Sequence, residues 1–418
     1  MWLPARMDGA RASELPGAAV AVTGWGATTP LGGTATDTWR RLIAGHSGVR
    51  RIEEPWADDV EVRIAAPLAE EPDRVLDRVT CRRSDRSQQG ALIAAREAWR
   101  HAGAPDVERE RLAVVIGTSV GGVRTLLRQD VARRERGPRA VSPFTVPMML
   151  PNGPATAVSL DLGARAGVHA PVSACAAGAE ALAAAADLIA WGRADIVVAG
   201  GADACIGPMS VSGFDRAGAL ARRNDAPAAA SRPFDAERSG FVIAEGAAVL
   251  VLERTDHARA RGARILGSLI GHGTTSDGHH ATVPDQSGQV RAIRNALTDA
   301  CLSTADVALV SAHATGTQAG DLTEAHAITE AIGTHPAVTA VKSATGHLLG
   351  ASAALAAITT LMAMQEGLIP ATLNLDNQDP RIALDVVADK PRNTAASAAL
   401  VNAFGFGGHN VVLAFQRP

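Results

Sequence analysis

Short apolar segments alternate with alanine-rich stretches along most of the chain. The apolar segments have the length of strands and the alanine-rich stretches that of helices, which predicts βαβ units around a mostly parallel sheet. A first series of predicted strands comprises Ala18 to Thr23, Leu112 to Gly117, His169 to Ser173, Asp195 to Ala199 and Ala247 to Leu252. A second series comprises Arg264 to Gly271, Val307 to His313, Ala337 to Lys342, Ala399 to Phe404 and Val411 to Phe415. Two successive series predict two similar halves.

One string in each half supports this repeat. PVSACAAGAEALAAAADLIA and AVKSATGHLLGASAALAAIT each predict a strand that runs into a helix of small and aliphatic residues. A helix that is apolar all round is buried, and its first turn directs unpaired amides and the positive dipole end at the junction residue. We expect functional side chains at both junctions. The predicted division is a flexible tail at 1–17, a first half at 18–260 and a second half at 261–418.

Composition narrows the class of protein. The 418 residues carry a net charge of −3, so there is no overall basic field to hold nucleic acid. Aromatic residues make up 3% of the chain, without tyrosine, so the core depends on aliphatic residues and glycine. No uncharged apolar run is long enough to predict a membrane span. The four cysteines are widely spaced, which favours a reducing compartment, and we expect a cytoplasmic protein.

Cys175 is the strongest candidate nucleophile because it lies at the predicted start of the buried helix in the first half. Amides and the helix dipole stabilise a thiolate at that position and raise its reactivity near neutral pH. A lone buried cysteine, however, is more often inert packing. The residues expected around it decide between these two interpretations.

Two histidines occupy comparable junctions in the second half. His313 ends a predicted strand in VSAHATGTQAGDLTEAHA, and His347 begins the second apolar helix in KSATGHLLGAS. Either histidine alone is more often structural, but two at equivalent junctions facing a cysteine favour a shared catalytic cleft. Lys342 lies in the same apolar segment and, if buried, needs a partner, for which Glu324 in GDLTEAHA is the nearest candidate.

Two glycine-containing segments raise other possibilities. The loop NAFGFGGHN, residues 402–410, precedes a predicted strand and has no following GK[ST], so a nucleotide site is weakly supported. We predict that an amide of this loop and the amide of Cys175 form an oxyanion hole for a thioester carbonyl. The segment GHGTTSDGHH contains His272, Asp277, His279 and His280, but their spacing fits no common zinc pattern. We predict a polar loop there, with no metal and no cofactor.

Several strings in the chain resemble the β-ketoacyl-acyl carrier protein synthase II family of condensing enzymes. They are PVSACAAGAEAL, AHATGTQAGDLTEA, VKSATGHLLGA, NAFGFGGHN and RRNDAPAAASRPFDAERSGFVIAEGA. The segment MMLPNGPATAVSLDLGARAG and the closing FGFGGHNVVLAF are similar to the actinobacterial branch that elongates long acyl chains. The resemblance implies a thiolase-like α/β fold, in which two βαβαβαββ halves form α-β-α-β-α layers, and a homodimer.

The resemblance also implies a role for individual residues. Cys175 would be the acylated nucleophile, with His313 and His347 as the malonyl-activating pair. Lys342 and Glu324 would form a supporting ion pair. Phe404 would be the gate whose amide joins the oxyanion hole. Thr315 and Thr317 would hydrogen-bond the phosphopantetheine arm of the acyl carrier protein.

Two residues depart from the family pattern. This chain has Ala314 where glycine commonly follows the first histidine, and Gln318 where proline commonly follows the second threonine. The first departure adds a methyl group beside the histidine, and the second removes the constraint of a proline ring from the turn. Both bear on substrate range more than on the reaction.

Three other classes of protein share some of these features. A ketosynthase-like partner subunit that sets chain length is expected to lack the nucleophile, which this chain retains as Cys175. A Cys-His hydrolase leaves the second histidine without a role. A thiolase acting on coenzyme A esters would use a second cysteine, which the NAFGFGG loop lacks. Fatty acid elongation and polyketide elongation both stay open.

Two basic segments are candidates for binding an acidic carrier protein. Arg124 to Arg139 contains six arginines against two acidic residues, and Arg222 and Arg223 form a smaller pair. A charged helix face is more often merely solvated. If either segment docks the carrier, its binding should depend on salt concentration.

Overall fold

Residues 20–418 are described by the computed structural model, so the predicted tail at 1–17 lies outside the described residues. The strands are β1 (Val20–Thr28), β2 (Arg50–Arg51), β3 (Ile64–Ala65), β4 (Leu112–Gly117), β5 (Gly167–His169), β6 (Ile196–Asp203), β7 (Gly246–Arg254), β8 (Gly267–Ser276), β9 (Val307–Ser311), β10 (Ala337–Thr339), β11 (Leu368–Ile369), β12 (Asp385–Val386), β13 (Arg392–Asn393), β14 (Ala398–Gly405) and β15 (His409–Gln416). The helices are α1 (Ala35–Ile43), α2 (Arg78–Arg83), α3 (Arg86–His101), α4 (Val123–Arg136), α5 (Thr145–Met149), α6 (Gly153–Leu162), α7 (Ala177–Ala190), α8 (Pro208–Arg216), α9 (Thr255–Ala260), α10 (Gln286–Asp299), α11 (Gln318–Ala331), α12 (Lys342–Thr345) and α13 (Ser352–Glu366).

Two sets of five strands repeat the same topology. The large sheet has the order β12-β10-β9-β14-β15-β8-β1-β7-β6-β4-β5. In the first half, β5, β4 and β6 pair in parallel, and β6, β7 and β1 pair antiparallel. In the second half, β10, β9 and β14 pair in parallel, and β14, β15 and β8 pair antiparallel. The halves join where residues 20–22 of β1 pair with residues 267–269 of β8. The predicted βαβαβαββ repeat is confirmed, while residue 260 as its boundary stays a prediction.

The helices complete five layers. α7 contacts β4 and β6 of the first half and β15 of the second, and α13 contacts β6, β7 and β14, so both helices lie between the two half-sheets. α3 and α6 cover the outer face of the first half, while α10, and α11 packed beside it, cover that of the second. Because nearly every residue of α13 is buried, the helix depends on small side chains to pass between the sheets. The predicted α-β-α-β-α layering is confirmed.

Several strand boundaries differ from the prediction where the chain approaches the cleft. β5 ends at His169, and residues 170–173 leave the sheet, where Pro171 has no amide to donate. β9 ends at Ser311, before His313, and β10 ends at Thr339. Lys342 begins the short helix α12 instead of ending a strand. The prediction failed there because a short apolar run does not by itself distinguish strand from helix.

Among residues 20–418, no helix has the length and apolar character needed to cross a membrane.

Candidate active site

Cys175 lies in a 3-10 turn, Ala174–Ala176, that leads directly into α7. The nucleophile was expected inside the first turn of the helix, and it lies just before that helix instead. Ala174 adopts a φ of 50°, so the chain turns sharply as it leaves β5 and enters the helix. The turn holds Cys175 at the wall of a cavity of about 360 Å³.

Burial disfavours ionisation of the Cys175 thiol. Burial raises its pKa to about 11, against the opposing effects of the Lys342 charge and of the backbone amides of Phe406 and Cys175 itself. The amides and the helix end that were expected to favour a thiolate therefore act here against desolvation. Because desolvation outweighs the amides, the sulfur must lose its proton as it attacks.

His347 is in direct contact with the nucleophile. Its Nε2 lies 3.0 Å from the Cys175 Sγ, and its Nδ1 lies 2.9 Å from the Ser352 hydroxyl. Its backbone amide donates to the carbonyl of Val242 at 2.8 Å, and its carbonyl accepts from the amide of Ala244. Burial, and then the charge of Lys342, hold the imidazole pKa well below its usual value. His347 is thus neutral and fixed at both ring nitrogens.

His313 completes the group from the second half. Its ring lies edge-on to that of His347, with centroids 5.5 Å apart, and 6.1 Å from the ring of Phe404. Burial, then Lys342 and His347, hold its pKa well below the usual range. The structure therefore brings Cys175 and two neutral imidazoles to one cavity from three separate segments.

Lys342 and Glu324 support His313 in a different way from the expected ion pair. Both lie in the described part of the chain and make no direct ion pair there. The Lys342 ammonium donates to the carbonyl of His313, while Glu324 accepts from the amides of His313 and Ala314 at 2.7 and 2.6 Å. Asn402 donates to the same carboxylate at 3.0 Å. The peptide that joins His313 to Ala314 thus accepts from Lys342 through its carbonyl and donates to Glu324 through its N–H.

The backbone amide beside the Cys175 sulfur is that of Phe406. The sequence resemblance had implied the amide of Phe404 instead. Phe404 pairs with Asn410 inside the β14-β15 ladder, and its side chain is only 8% exposed. Phe406 lies beyond the end of β14 and is 38% exposed at the cavity. A Cβ on Gly405 would lie 2.7 Å from the Ser173 carbonyl, so glycine lets this loop approach the Cys175 turn. The sequence pattern alone did not separate the two phenylalanines.

The threonines predicted to hold a carrier arm also face the cavity. Thr315 and Thr317 line it, and their hydroxyl oxygens lie 3.2 Å apart. Ala314 precedes them with a φ of 22°, a conformation that favours glycine. Gln318 donates to the carbonyl of Arg238, so side-chain hydrogen bonding restrains the turn that proline would otherwise stiffen.

The catalytic trio has the donor set of a metal site, but the local charge opposes this use. The ligand atoms of Cys175, His313 and His347 all lie within 4.8 Å of one another. The Lys342 cation acts on all three groups and disfavours a second positive charge among them. In GHGTTSDGHH, Asp277 holds the Asn410 amide and His280 accepts backbone amides of its own loop, as a structural loop does.

Asp203 and Ser352 were not singled out from the sequence. Asp203 ends β6 and accepts from the amides of Ser119 and Gly350 at 2.9 and 2.7 Å, so it ties the turn after His347 to a neighbouring loop. Ser352 begins α13. Two features of the sequence could have indicated them: an acidic residue at the end of the apolar strand VVAGGAD, and a lone serine in an otherwise small and aliphatic string.

A five-layer fold of two related halves, with a thiol and two neutral imidazoles meeting between them, defines an acyl-transfer enzyme of the thiolase-like class. The model of the "Beta-ketoacyl synthase, N-terminal domain" matches residues 18–258, and that of the "Beta-ketoacyl synthase, C-terminal domain" matches residues 266–376. The chain belongs to the β-ketoacyl synthase family.

Named relatives agree with this assignment. The chain is 46% identical to the 3-oxoacyl-[acyl-carrier-protein] synthase 2 of Mycobacterium tuberculosis, over 95% of this chain and 97% of the relative. It is 41% identical to the protein of that name from Synechocystis, over 95% and 98%. Among solved structures, a β-ketoacyl synthase from Burkholderia phymatum has a TM-score of 0.89 and 37% identity, covering 96% of this chain and 99% of the other.

Proposed function

We propose that this chain is a β-ketoacyl-acyl carrier protein synthase, which joins an acyl group held on Cys175 to malonyl-acyl carrier protein with loss of CO2. The contact that carries the proposal is the 3.0 Å approach of His347 Nε2 to the Cys175 sulfur, beside a second neutral imidazole. One group can hold an acyl chain while the others activate a second substrate. The names of the relatives support the same reaction.

In the first half-reaction, the sulfur of Cys175 attacks the thioester carbonyl of an acyl carrier. The thiol proton passes to the departing pantetheine sulfur, and a new thioester forms on the enzyme. The oxyanion formed on the way accepts hydrogen bonds from the amides of Cys175 and Phe406. Burial raises the pKa of the thiol, and the same amides and the Lys342 charge stabilise the negative charge that develops on the sulfur as it loses its proton.

In the second half-reaction, the malonyl thioester oxygen accepts hydrogen bonds from His313 and His347. The bond to the carboxylate breaks, CO2 leaves, and its electron pair forms an enolate whose charge lies on that oxygen. The enolate carbon attacks the acyl-Cys175 carbonyl, and collapse of the adduct expels the Cys175 thiolate. Loss of either histidine donor should slow this step by about 10² to 10³.

A partner subunit that sets chain length is the alternative class. One solved structure similar to this chain is titled "The ishigamide ketosynthase/chain length factor", with a TM-score of 0.89 and 34% identity, covering 96% of this chain and 99% of the other. A subunit of that kind needs no nucleophile. The retained thiol, in contact with a neutral histidine, favours a catalytic chain.

For the carrier protein, Arg222 and Arg223 are better placed than the α4 segment. Arg222 binds Asp215 at 2.9 Å, and Asp215 adjoins Phe214, a residue of the cavity wall. No residue of α4 lines the described cavity or adjoins in sequence a residue that does. A solved ketosynthase with a TM-score of 0.87 and 30% identity, over 96% of this chain and 99% of the other, is described in complex with its acyl-carrier protein.

For assembly, we place the interface of a homodimer at the β5 edge of the large sheet. β5 pairs only with β4 among the described strands, so its other edge is open. Val168 in β5 is 41% exposed, Val172 is 52% exposed, and Leu160 in the adjacent helix α6 is 79% exposed. Open strand edges beside apolar side chains are suited to pairing with a second copy.

Intact-mass spectrometry tests the reaction directly. Wild type and Cys175→Ala are mixed with acyl carrier proteins of graded chain length and then with malonyl carrier. We expect an acyl adduct only on the wild type, which disappears as a β-ketoacyl carrier two carbons longer forms. The absence of an adduct with any acyl group would instead favour the partner subunit.

A further inference from the structure

We infer that Ser352 is a positioning residue that fixes the proton on the Nε2 of His347. This inference rests on the proposed function, because it explains how His347 can donate a hydrogen bond to the malonyl oxygen. It adds a residue for which the sequence resemblance implied no role.

The hydroxyl of Ser352 has one partner. Ser352 is 3% exposed, and its Oγ lies 2.9 Å from the Nδ1 of His347. Among residues 20–418 it makes no other side-chain hydrogen bond. A buried hydroxyl that accepted from Nδ1 would leave its own hydrogen without an acceptor, and an unsatisfied buried donor is destabilising. The hydroxyl therefore donates to Nδ1.

This direction decides the tautomer. A neutral imidazole carries one hydrogen, so an Nδ1 that accepts requires an Nε2 that donates. The alternative of a protonated ring is disfavoured, because burial and Lys342 hold the His347 pKa well below its usual value. Nε2 is also the nitrogen that faces Cys175, at 3.0 Å. The hydrogen is thus presented to the place where substrate oxygen and sulfur meet.

The turn between the two residues aligns them. Leu349 adopts a φ of 50°, and the amide of Gly350 is bound by Asp203 at 2.7 Å. This anchored 3-10 turn, Leu349–Ala351, folds the start of α13 back onto the ring five residues earlier. His313 differs, because its ring nitrogens have no hydrogen-bond partner among the described residues. Ser352 accordingly acts on one histidine only.

The primary test reads the tautomer without any turnover. Protein labelled with ¹⁵N-histidine is compared as wild type, Ser352→Ala and Ser352→Thr, with His347→Asn used to assign the ring signals. We expect wild type and Ser352→Thr to show a protonated Nε2 and an unprotonated Nδ1. In Ser352→Ala the two His347 signals should move toward a tautomer mixture. Unchanged His347 signals in Ser352→Ala would overturn the inference.

The kinetic test separates the two half-reactions. Acyl-Cys175 enzyme is prepared, mixed with malonyl carrier and quenched, so that decarboxylation is timed apart from acylation. One lost hydrogen bond should slow decarboxylation in Ser352→Ala by about 3- to 10-fold, more than it slows acylation. Ser352→Thr should recover most of this loss. Equal slowing of both steps, with unaltered ring signals, would mean that Ser352 only supports packing.

Two control variants show whether a negative result contradicts the inference on Ser352 or the proposed function of His347. Thr360→Val removes a hydroxyl from the same buried helix where that hydroxyl has no partner, so its rates should match wild type. His347→Ala tests the proposed role of the histidine itself. If His347→Ala decarboxylates normally, the proposed function of His347 fails. If it does not, and Ser352→Ala behaves as wild type, only the inference on Ser352 fails.

Discussion

The Lys342 ammonium donates a hydrogen bond to the backbone carbonyl of His313, and not to the carboxylate of Glu324. A buried cation is thereby held beside two imidazoles whose pKa values it lowers. Glu324 accepts the N–H of the same peptide, which is that of Ala314. The position of one catalytic ring thus depends on opposite charges acting on its own backbone.

Loss of the Lys342 proton should limit activity at high pH. Burial lowers the pKa of Lys342 to about 8, with Glu324 opposing the shift. Condensation should therefore fall as pH rises through about 8, and Lys342→Met should lower malonyl decarboxylation more than acyl transfer to Cys175. Rates of both half-reactions across pH 6.5 to ~9.5 measure this. The exposed Lys390→Met is the matched control. A larger loss of acyl transfer than of decarboxylation would contradict the assignment.

The ionisation of Lys342 also makes the free energy of unfolding depend on pH. The pKa of Lys342 is about 8 in the native protein, whereas in the unfolded chain it returns to the ordinary lysine value of about 10.5. The unfolded state then binds more protons in this interval, so the contribution of Lys342 to the free energy of unfolding increases with pH between these values. Lys342→Met should remove this part of the pH dependence in denaturant titrations.

Glu324→Gln should destabilise the protein and slow the second half-reaction. Both carboxylate oxygens accept backbone amides, at 2.7 and 2.6 Å, and the amide nitrogen of glutamine cannot accept. One buried N–H is then left unpaired, which lowers the free energy of unfolding by about 1 to 3 kcal/mol. Urea denaturation measures the loss. Gln286→Glu offers a surface comparison, since Gln286 donates to Glu330 on an exposed face. Equal stability of Glu324→Gln and wild type would refute the role.

Phe404 and Phe406 should respond oppositely to truncation. Phe404 is buried beside the His313 ring at the inner wall of the cavity, so Phe404→Ala should lower the free energy of unfolding by about 3 to 5 kcal/mol. Phe406 is partly exposed at the cavity, so Phe406→Ala should leave thermal stability nearly unchanged and alter the acylation rate instead. Calorimetry and single-turnover acylation measure the two effects. An acylation defect confined to Phe404→Ala would restore the original assignment of the gate.

Charge reversal separates the two basic segments. The double variant Arg222→Glu with Arg223→Glu should weaken carrier binding about 10-fold at low salt and flatten its salt dependence, because Arg222 is paired with Asp215 next to the cavity residue Phe214. The double variant Arg133→Glu with Arg134→Glu should change binding less. Titration calorimetry over a salt series measures both. The reverse order would move the docking surface to α4.

The β5 edge can be tested through the mass of the assembly. Val168→Glu places a charge on the open strand edge and should convert a dimer into monomers, since an unpaired charge is disfavoured in an apolar interface. Light scattering after size exclusion gives the mass. Met209→Glu alters another exposed apolar side chain, on α8, and should stay dimeric. A dimeric Val168→Glu protein would exclude this edge as the interface.

The sequence alone determined the repeat, the layers and the reactive residue types, because hydrophobic period and string similarity are local properties of the chain. It could not distinguish Phe404 from Phe406, since that depends on where β14 ends and which amide meets a thiol from the other half. It paired Lys342 with Glu324 by proximity of motifs, whereas in the structure both bind the peptide that joins His313 to Ala314. The state of the Cys175 thiol also required the structure, because desolvation depends on every segment around the sulfur.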